Sequence, residues 1–128
     1  MNKMKITLIY DNIVYQKGLT ADRGFSCLIG IENTPRIIFD TGTRGSILLG
    51  NMEKLNIDPL SINKVFISHG HFDHAGGLSD FLEVNGEVKV YTPLSFSRPE
   101  GAREVVTVGE PIQVQENVFS TGELKGIE

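Results

Sequence analysis

The sequence holds a single cysteine, Cys27, in 128 residues. One thiol cannot close an internal disulfide, so a small secreted scaffold stapled by cystines is excluded. Long apolar runs are missing as well. After Met1-Asn2-Lys3-Met4-Lys5, only the stretch Ile6 to Tyr10 is mostly apolar before Asp11 interrupts it. A signal-peptide core needs about 7–15 apolar residues and a membrane span about 20. The expectation is a soluble, cytoplasmic protein with no membrane partner. Basic charge is not in excess either: 12 Lys and Arg stand against 16 Asp and Glu, a formal charge of −4 with His neutral. A general nucleic-acid binder presents a basic face, so nucleic acid is not an expected partner. The sequence shows no internal repeat and no low-complexity tract.

What is present suits one folded domain over residues 1–128. Apolar residues make up 40% of the chain, too many for disorder and enough for a core. The length leaves no room for two ordinary domains. Lys5 to Tyr10 reads as a strand from its β-branched and aromatic content, and residues 11–24, with Asp11, Asn12, Gly18, Asp22 and Gly24, as a long surface loop. Strands are expected over Phe25–Ile31 and Arg36–Phe39, joined by the turn Glu32-Asn33-Thr34-Pro35. The spacing of Leu48, Leu49, Met52 and Leu55 predicts a helix from Ser46 to about Asn56. Asp58-Pro59 is a plausible cap for a short helical turn ending near Ile62, and Val65-Phe66-Ile67 is a short buried strand. A helix over Leu78–Val84 and a strand over Glu87–Thr92 follow. Residues 93–103 form a loop, and further strands are expected over Glu104–Val108 and Ile112–Ser120. Mixed strands with two interposed helices predict an α/β layer structure.

All three histidines fall within six residues, in Ser68-His69-Gly70-His71-Phe72-Asp73-His74-Ala75-Gly76-Gly77. Imidazole and carboxylate together suit Zn²⁺, Fe²⁺ or Mn²⁺. The cluster starts where the strand Val65–Ile67 ends, and in open α/β sheets ligand sites lie beyond the carboxyl ends of strands. His69 and His71, two apart, can face one ion, while Asp73 and His74 can serve a second. A dinuclear centre can clamp a substrate oxygen and lower the pKa of a bridging water, and Asp73 is the natural group to take or pass that proton. Phe72 is expected to pack beneath the loop, and Cys27 to be a small buried core thiol.

His69-x-His71-x-Asp73-His74, preceded by an apolar strand and followed by Gly76-Gly77, resembles the signature of the metallo-β-lactamase fold superfamily. Ile37-Ile38-Phe39 running into Asp40-Thr41-Gly42 is similar to that superfamily's Asp-Thr-Gly loop. The run from Phe39 to His71 is closest to the branch of metal-dependent hydrolases related to dihydropterin-ribofuranosylaminobenzene phosphate synthase. The resemblance implies the N-terminal half of an αββα sandwich, a mixed β-sheet with helices on one face. It also implies metal ligation by His69, His71, Asp73 and His74, with Asp40 as a carboxylate supporting them from behind; a turn or helix-capping role is the alternative for Asp40. The implied cofactor is one or two divalent ions, zinc first, with iron or manganese as alternatives, and the implied substrate is a small molecule.

Residues 81–128 contain no His, Asp or Cys, only glutamates among the carboxylates. Longer members of the superfamily take a further His, a bridging Asp and a last His from their second half. Three expectations stay open: a complementary polypeptide supplies the missing ligands, copies of this chain assemble with Glu or water filling them, or the chain binds metal weakly and does no chemistry. An iron-dependent redox protein on the same fold is a competing function, although the flavodiiron branch has a Glu where this chain keeps His71. Losing one sheet of the sandwich would bare an apolar face built from Ile6, Leu8, Leu28 and Ile38 or their alternates. Dimerisation, or pairing with a complementary half, is expected through it.

Overall fold

The computed structural model describes residues 3–13 and 16–124. Residues 14–15 of the expected long loop, and the two ends of the expected 1–128 domain, lie outside the described residues. Three strands, β1 (Met4–Tyr10), β2 (Ser26–Ile31) and β3 (Ile37–Phe39), form an antiparallel meander. From β3 the sheet continues in parallel through β4 (Lys64–Phe66), β5 (Lys89–Pro93) and β6 (Glu104–Val108), giving the order β1-β2-β3-β4-β5-β6. Between β3 and β4 the chain forms α1 (Gly45–Lys54) and a 3-10 turn, Pro59–Ser61. Asp58 caps that turn as expected, its carboxylate accepting the Leu60 N–H at 2.9 Å. Between β4 and β5 lie α2 (Phe72–Ala75) and α3 (Leu78–Val84). Within the histidine-bearing segment 69–77, α2 makes one helical turn.

Register divides the sheet into two faces, because side chains alternate along each strand. Leu28, Ile38, Val65 and Val90 stand opposite one another across four strands. They are buried beneath Leu48 and Met52 of α1 and Leu78, Phe81 and Leu82 of α3. Leu48 and Met52 are four apart and so lie on one stripe of the helix. The helices therefore cover one face, as the α/β reading requires.

The other face carries a ladder of stacked rings, Phe39 on Phe66 at 5.8 Å and Phe66 on Tyr91 at 6.0 Å between centroids. A hairpin of β7 (Ile112–Gln115) and β8 (Val118–Ser120) folds back onto part of it. Val114 of that hairpin joins Ile37, Tyr91 and Val108 in a second small core. The single strand expected over Ile112–Ser120 is thus two strands. The chain reverses at Glu116-Asn117, where Asn117 takes φ +66, a conformation asparagine tolerates better than most residues.

The expected bare face needs a matching correction. Leu28 and Ile38 belong to the helix-side core, and the hairpin screens the middle of the opposite face. What remains exposed there is the rim at β1, where Met4 is 63% and Ile6 55% exposed. Cys27 is buried as expected, and burial, with the nearby Asp40 charge, pushes its thiol up to about 11. Among the described residues, no helix is long and apolar enough to cross a membrane.

Candidate metal centre

Two loops at the carboxyl ends of neighbouring parallel strands build the site. Beyond β3 come Asp40, Thr41 and Gly42; beyond β4 come Ser68, His69 and the segment to Gly77. The first loop is shaped by its backbone. Asp40 has φ +58 and Gly42 φ +69, and a Cβ on Gly42 would run into the Tyr10 ring. This tight path lets Thr41 grip the second loop. Its N–H donates to the His74 carbonyl at 2.7 Å, and its hydroxyl donates to the same carbonyl at 3.0 Å. The Gly77 N–H reaches the Thr41 Oγ1 at 3.1 Å and the Gly42 carbonyl at 3.0 Å. His74 is therefore positioned by backbone bonds before its side chain makes any contact.

Asp40 is fully buried and its carboxylate is surrounded by donors. Oδ1 accepts the Ser68 N–H at 2.7 Å. Oδ2 accepts the Ser68 hydroxyl at 2.6 Å and lies 2.8 Å from His74 Nδ1. Ser68 Oγ also lies 2.8 Å from His69 Nδ1. These distances fix the protons. A hydroxyl has one hydrogen, and the buried carboxylate is its strongest acceptor. His69 must then donate from Nδ1 to Ser68 Oγ, and His74 donates from Nδ1 to Asp40. In its neutral form each ring then carries its lone pair on Nε2. One carboxylate thus sets the tautomer of two imidazoles, one directly and one through a hydroxyl. Asp40 is not a helix cap; Arg44 occupies the position ahead of α1.

The remaining groups gather around these rings. The His69 ring lies 4.2 Å from that of His74 and 4.7 Å from that of His71, centre to centre. His74 Nε2 faces Asp73 Oδ2 at 3.9 Å. The four residues of the sequence cluster are neighbours in space, with His71 the most exposed of them. One donor atom each from Asp40, His69 and His74 falls within 4.8 Å of the others. The Asp40 share of that closeness is its hydrogen bonding, which leaves the Nε2 side of the rings for an ion. Burial, reinforced by the neighbouring His74, pushes the pKa of His69 down, favouring the neutral ring that a metal requires. Bare Nε2 atoms on two held rings, with a third imidazole and a carboxylate alongside, fit a divalent ion of the zinc, iron or manganese kind.

Two residues near the site carried no expected role. Ser68 adjoins His69, and its hydrogen bond could have been suspected from that adjacency. Arg23, far away in sequence, approaches Asp73 with Nε at 3.9 Å and lies over the Phe72 ring at 5.4 Å. No local pattern announces it. Phe72 itself does not pack beneath the loop: it is 57% exposed, because α2 turns its ring outward toward Arg23.

Comparison with known proteins agrees with this architecture. Residues 19–125 match the family model of the metallo-β-lactamase superfamily, and the chain belongs to that superfamily. It is 33% identical to the 7,8-dihydropterin-6-methyl-4-(β-D-ribofuranosyl)-aminobenzene-5′-phosphate synthase of Methanocaldococcus jannaschii, over 93% of this chain and 50% of that protein. It is 26% identical to a hydroxyacylglutathione hydrolase of Serratia proteamaculans, over 94% of this chain and 41% of that protein. The fold is similar to the crystal structure of the metallo-β-lactamase SMB-1, with a TM-score of 0.58 and 20% identity, over 88% of this chain and 50% of that one. The chain thus spans half or less of the length of the relatives it matches. The superfamily includes metal-dependent hydrolases, and the second relative is by name a hydrolase.

Proposed function

We propose that this chain carries the metal-binding half of a hydrolase acting on a small molecule with an ester, amide or phosphoester bond. His69, His71, Asp73 and His74 would hold one or two divalent ions, zinc first among them, and Asp40 would orient His69 and His74 from behind. The observation that carries this reading is the Asp40–Ser68 network, which holds the Nδ1 protons and leaves Nε2 bare on both rings. When bound, such an ion supplies Lewis acidity and lowers the pKa of water toward neutrality. The chain's own residues then have separate tasks. The Thr41 bonds hold His74 in place, the buried carboxylate turns both rings so that Nδ1 points to the Asp40–Ser68 network, and Asp73, facing His74 Nε2 at 3.9 Å, accepts the proton released at the site.

Residues 81–124 supply none of the described donors at the centre, and the relatives are about twice as long as the matched stretch. We therefore propose that further ligands come from outside the stretch matched here, or from a second copy of it. Neither nucleic acid nor a membrane is part of the proposal.

Titration calorimetry with Zn²⁺ and Mn²⁺ tests it. Saturable binding is expected for the native chain, weaker by about tenfold or more when His69 or His74 is replaced by Ala, since each removes a direct ligand. Absence of any heat of binding in the native chain would remove the basis of the reading.

A further inference from the structure

The end of the loop that leads into β2 is fastened beside the centre. The Phe25 N–H donates to the Asp73 carbonyl at 3.2 Å, and the Thr43 hydroxyl donates to the Arg23 carbonyl at 2.5 Å. Gly24 donates its N–H to Asn12 Oδ1 at 3.0 Å. Gly24 has φ +129, and any Cβ there would overlap the Asp73 carbonyl. The backbone at Arg23 is thus held at a fixed place beside Asp73.

The side chain it presents is used for little else. Its guanidinium is 73% exposed, and Nε stands 3.9 Å from Asp73 Oδ2. That is beyond hydrogen-bond range, and an exposed pair of this kind adds little to stability. Arg36 and Arg103, by contrast, donate to Ser61 Oγ at 2.6 Å and to the Glu87 carbonyl at 3.1 Å. Among the described residues, the Arg23 guanidinium makes no hydrogen bond. The Phe72 ring beneath it, at 5.4 Å, limits its wandering. Approach to Asp73 through Nε leaves the planar fork of terminal NH₂ groups open, and that fork matches the paired oxygens of a carboxylate or phosphate. In a chain of net charge −4, a cation held beside the metal ligands without a structural bond is placed for a ligand.

We propose that Arg23, resting on Phe72, binds the anionic group, phosphate or carboxylate, of a small substrate whose reacting bond lies at the His69–His74 centre. This deepens the hydrolase reading and rests on it for the identity of the reacting bond, but the anion subsite stands on Arg23 alone. The subsite borders Asp73, so the anionic group is joined to the reacting atom by a short spacer.

The test uses the whole metal-free chain, with NMR detection of the Gly24 and Phe72 backbone N–H groups, which every variant keeps beside the subsite, titrated separately with inorganic phosphate and with acetate. A saturable shift with either anion, lost in Arg23→Gln and partly kept in Arg23→Lys, is the expected result; whichever anion saturates first identifies the group. The affinity is expected to fall about tenfold in Arg23→Gln, the loss of one charge-assisted pair. No saturable shift with either anion overturns the proposal, as does equal binding by Arg23→Gln. Calorimetry with Zn²⁺ on Arg23→Gln should match the native chain. A large loss there would show that Arg23 acts on the metal ligands instead and would also overturn it. Failure of the native chain to bind Zn²⁺ sinks the hydrolase reading separately.

Discussion

At the scale of single residues, the site depends most on Asp40. It accepts hydrogen bonds from a backbone N–H, a hydroxyl and an imidazole at 2.6–2.8 Å, and it is buried, so each bond is made in a poorly solvated setting. Asp40→Asn keeps the size and one acceptor oxygen. With that oxygen on the Ser68 N–H, the amide nitrogen faces His74 Nδ1, donor against donor. His74 must then move its proton to Nε2, the atom an ion needs. We expect zinc affinity to fall about 10–100-fold in this variant, the usual effect of losing such a supporting partner. The metal-free chain should lose about 1–3 kcal/mol of stability from the unsatisfied buried groups. Calorimetry and urea unfolding measure the two separately. Unchanged zinc affinity would show that Asp40 is only a structural residue.

At the scale of elements, α1 does more than cover the sheet. Asn51 on its buried side donates from Nδ2 to the Ile9 carbonyl at 2.9 Å and the Thr20 carbonyl at 3.0 Å, and accepts the Thr20 N–H at 2.9 Å. One amide therefore ties the helix to the end of β1 and to the loop that carries Arg23. Asn51→Leu has similar bulk but leaves those backbone groups without partners. A loss of about 2–3 kcal/mol is expected, since each buried group left unsatisfied costs about 1–3 kcal/mol. It should appear in the urea midpoint, with faster hydrogen exchange at Thr20. Exchange there no faster than in the native chain would mean that the loop is held from elsewhere. Elements are also where the sequence was most readable. Helical spacing in α1 and the Asp58-Pro59 cap are local signals, and both hold. The Ile112–Ser120 stretch misled because Glu116-Asn117 lies within a run of strand-forming residues. Only the reversal onto the aromatic ladder shows that two strands are needed.

At the scale of the whole molecule, the question is what covers the rim of the sheet. β1 is an edge strand, and edge strands with apolar side chains invite pairing. Met4 and Ile6 lie exposed there, and Phe119 on the hairpin is 71% exposed. At micromolar concentration, sedimentation is expected to show species heavier than the 14.1 kDa chain, and Ile6→Lys is expected to return it to monomer without loss of fold. A monomer at every concentration would exclude self-association through this rim.

The sequence by itself determined the class of fold and where the candidate metal donors gather. Three histidines and an aspartate in six residues, set just after a short apolar strand, concentrate donors so closely that any loop must keep them together. The Asp-Thr-Gly turn and the helical spacings are likewise local, decided by neighbours in the chain. Tertiary structure decided how those donors are held. Asp40 meets Ser68 and His74 only because β3 and β4 are paired in parallel, which brings residues 28 and 34 positions apart to one end of the sheet. Arg23 reaches Asp73 only because the loop end that carries it is pinned beside Asp73. Proton placement on a ring, and the company a charge keeps, depend on distances in space, and a linear pattern of residues carries no such distances.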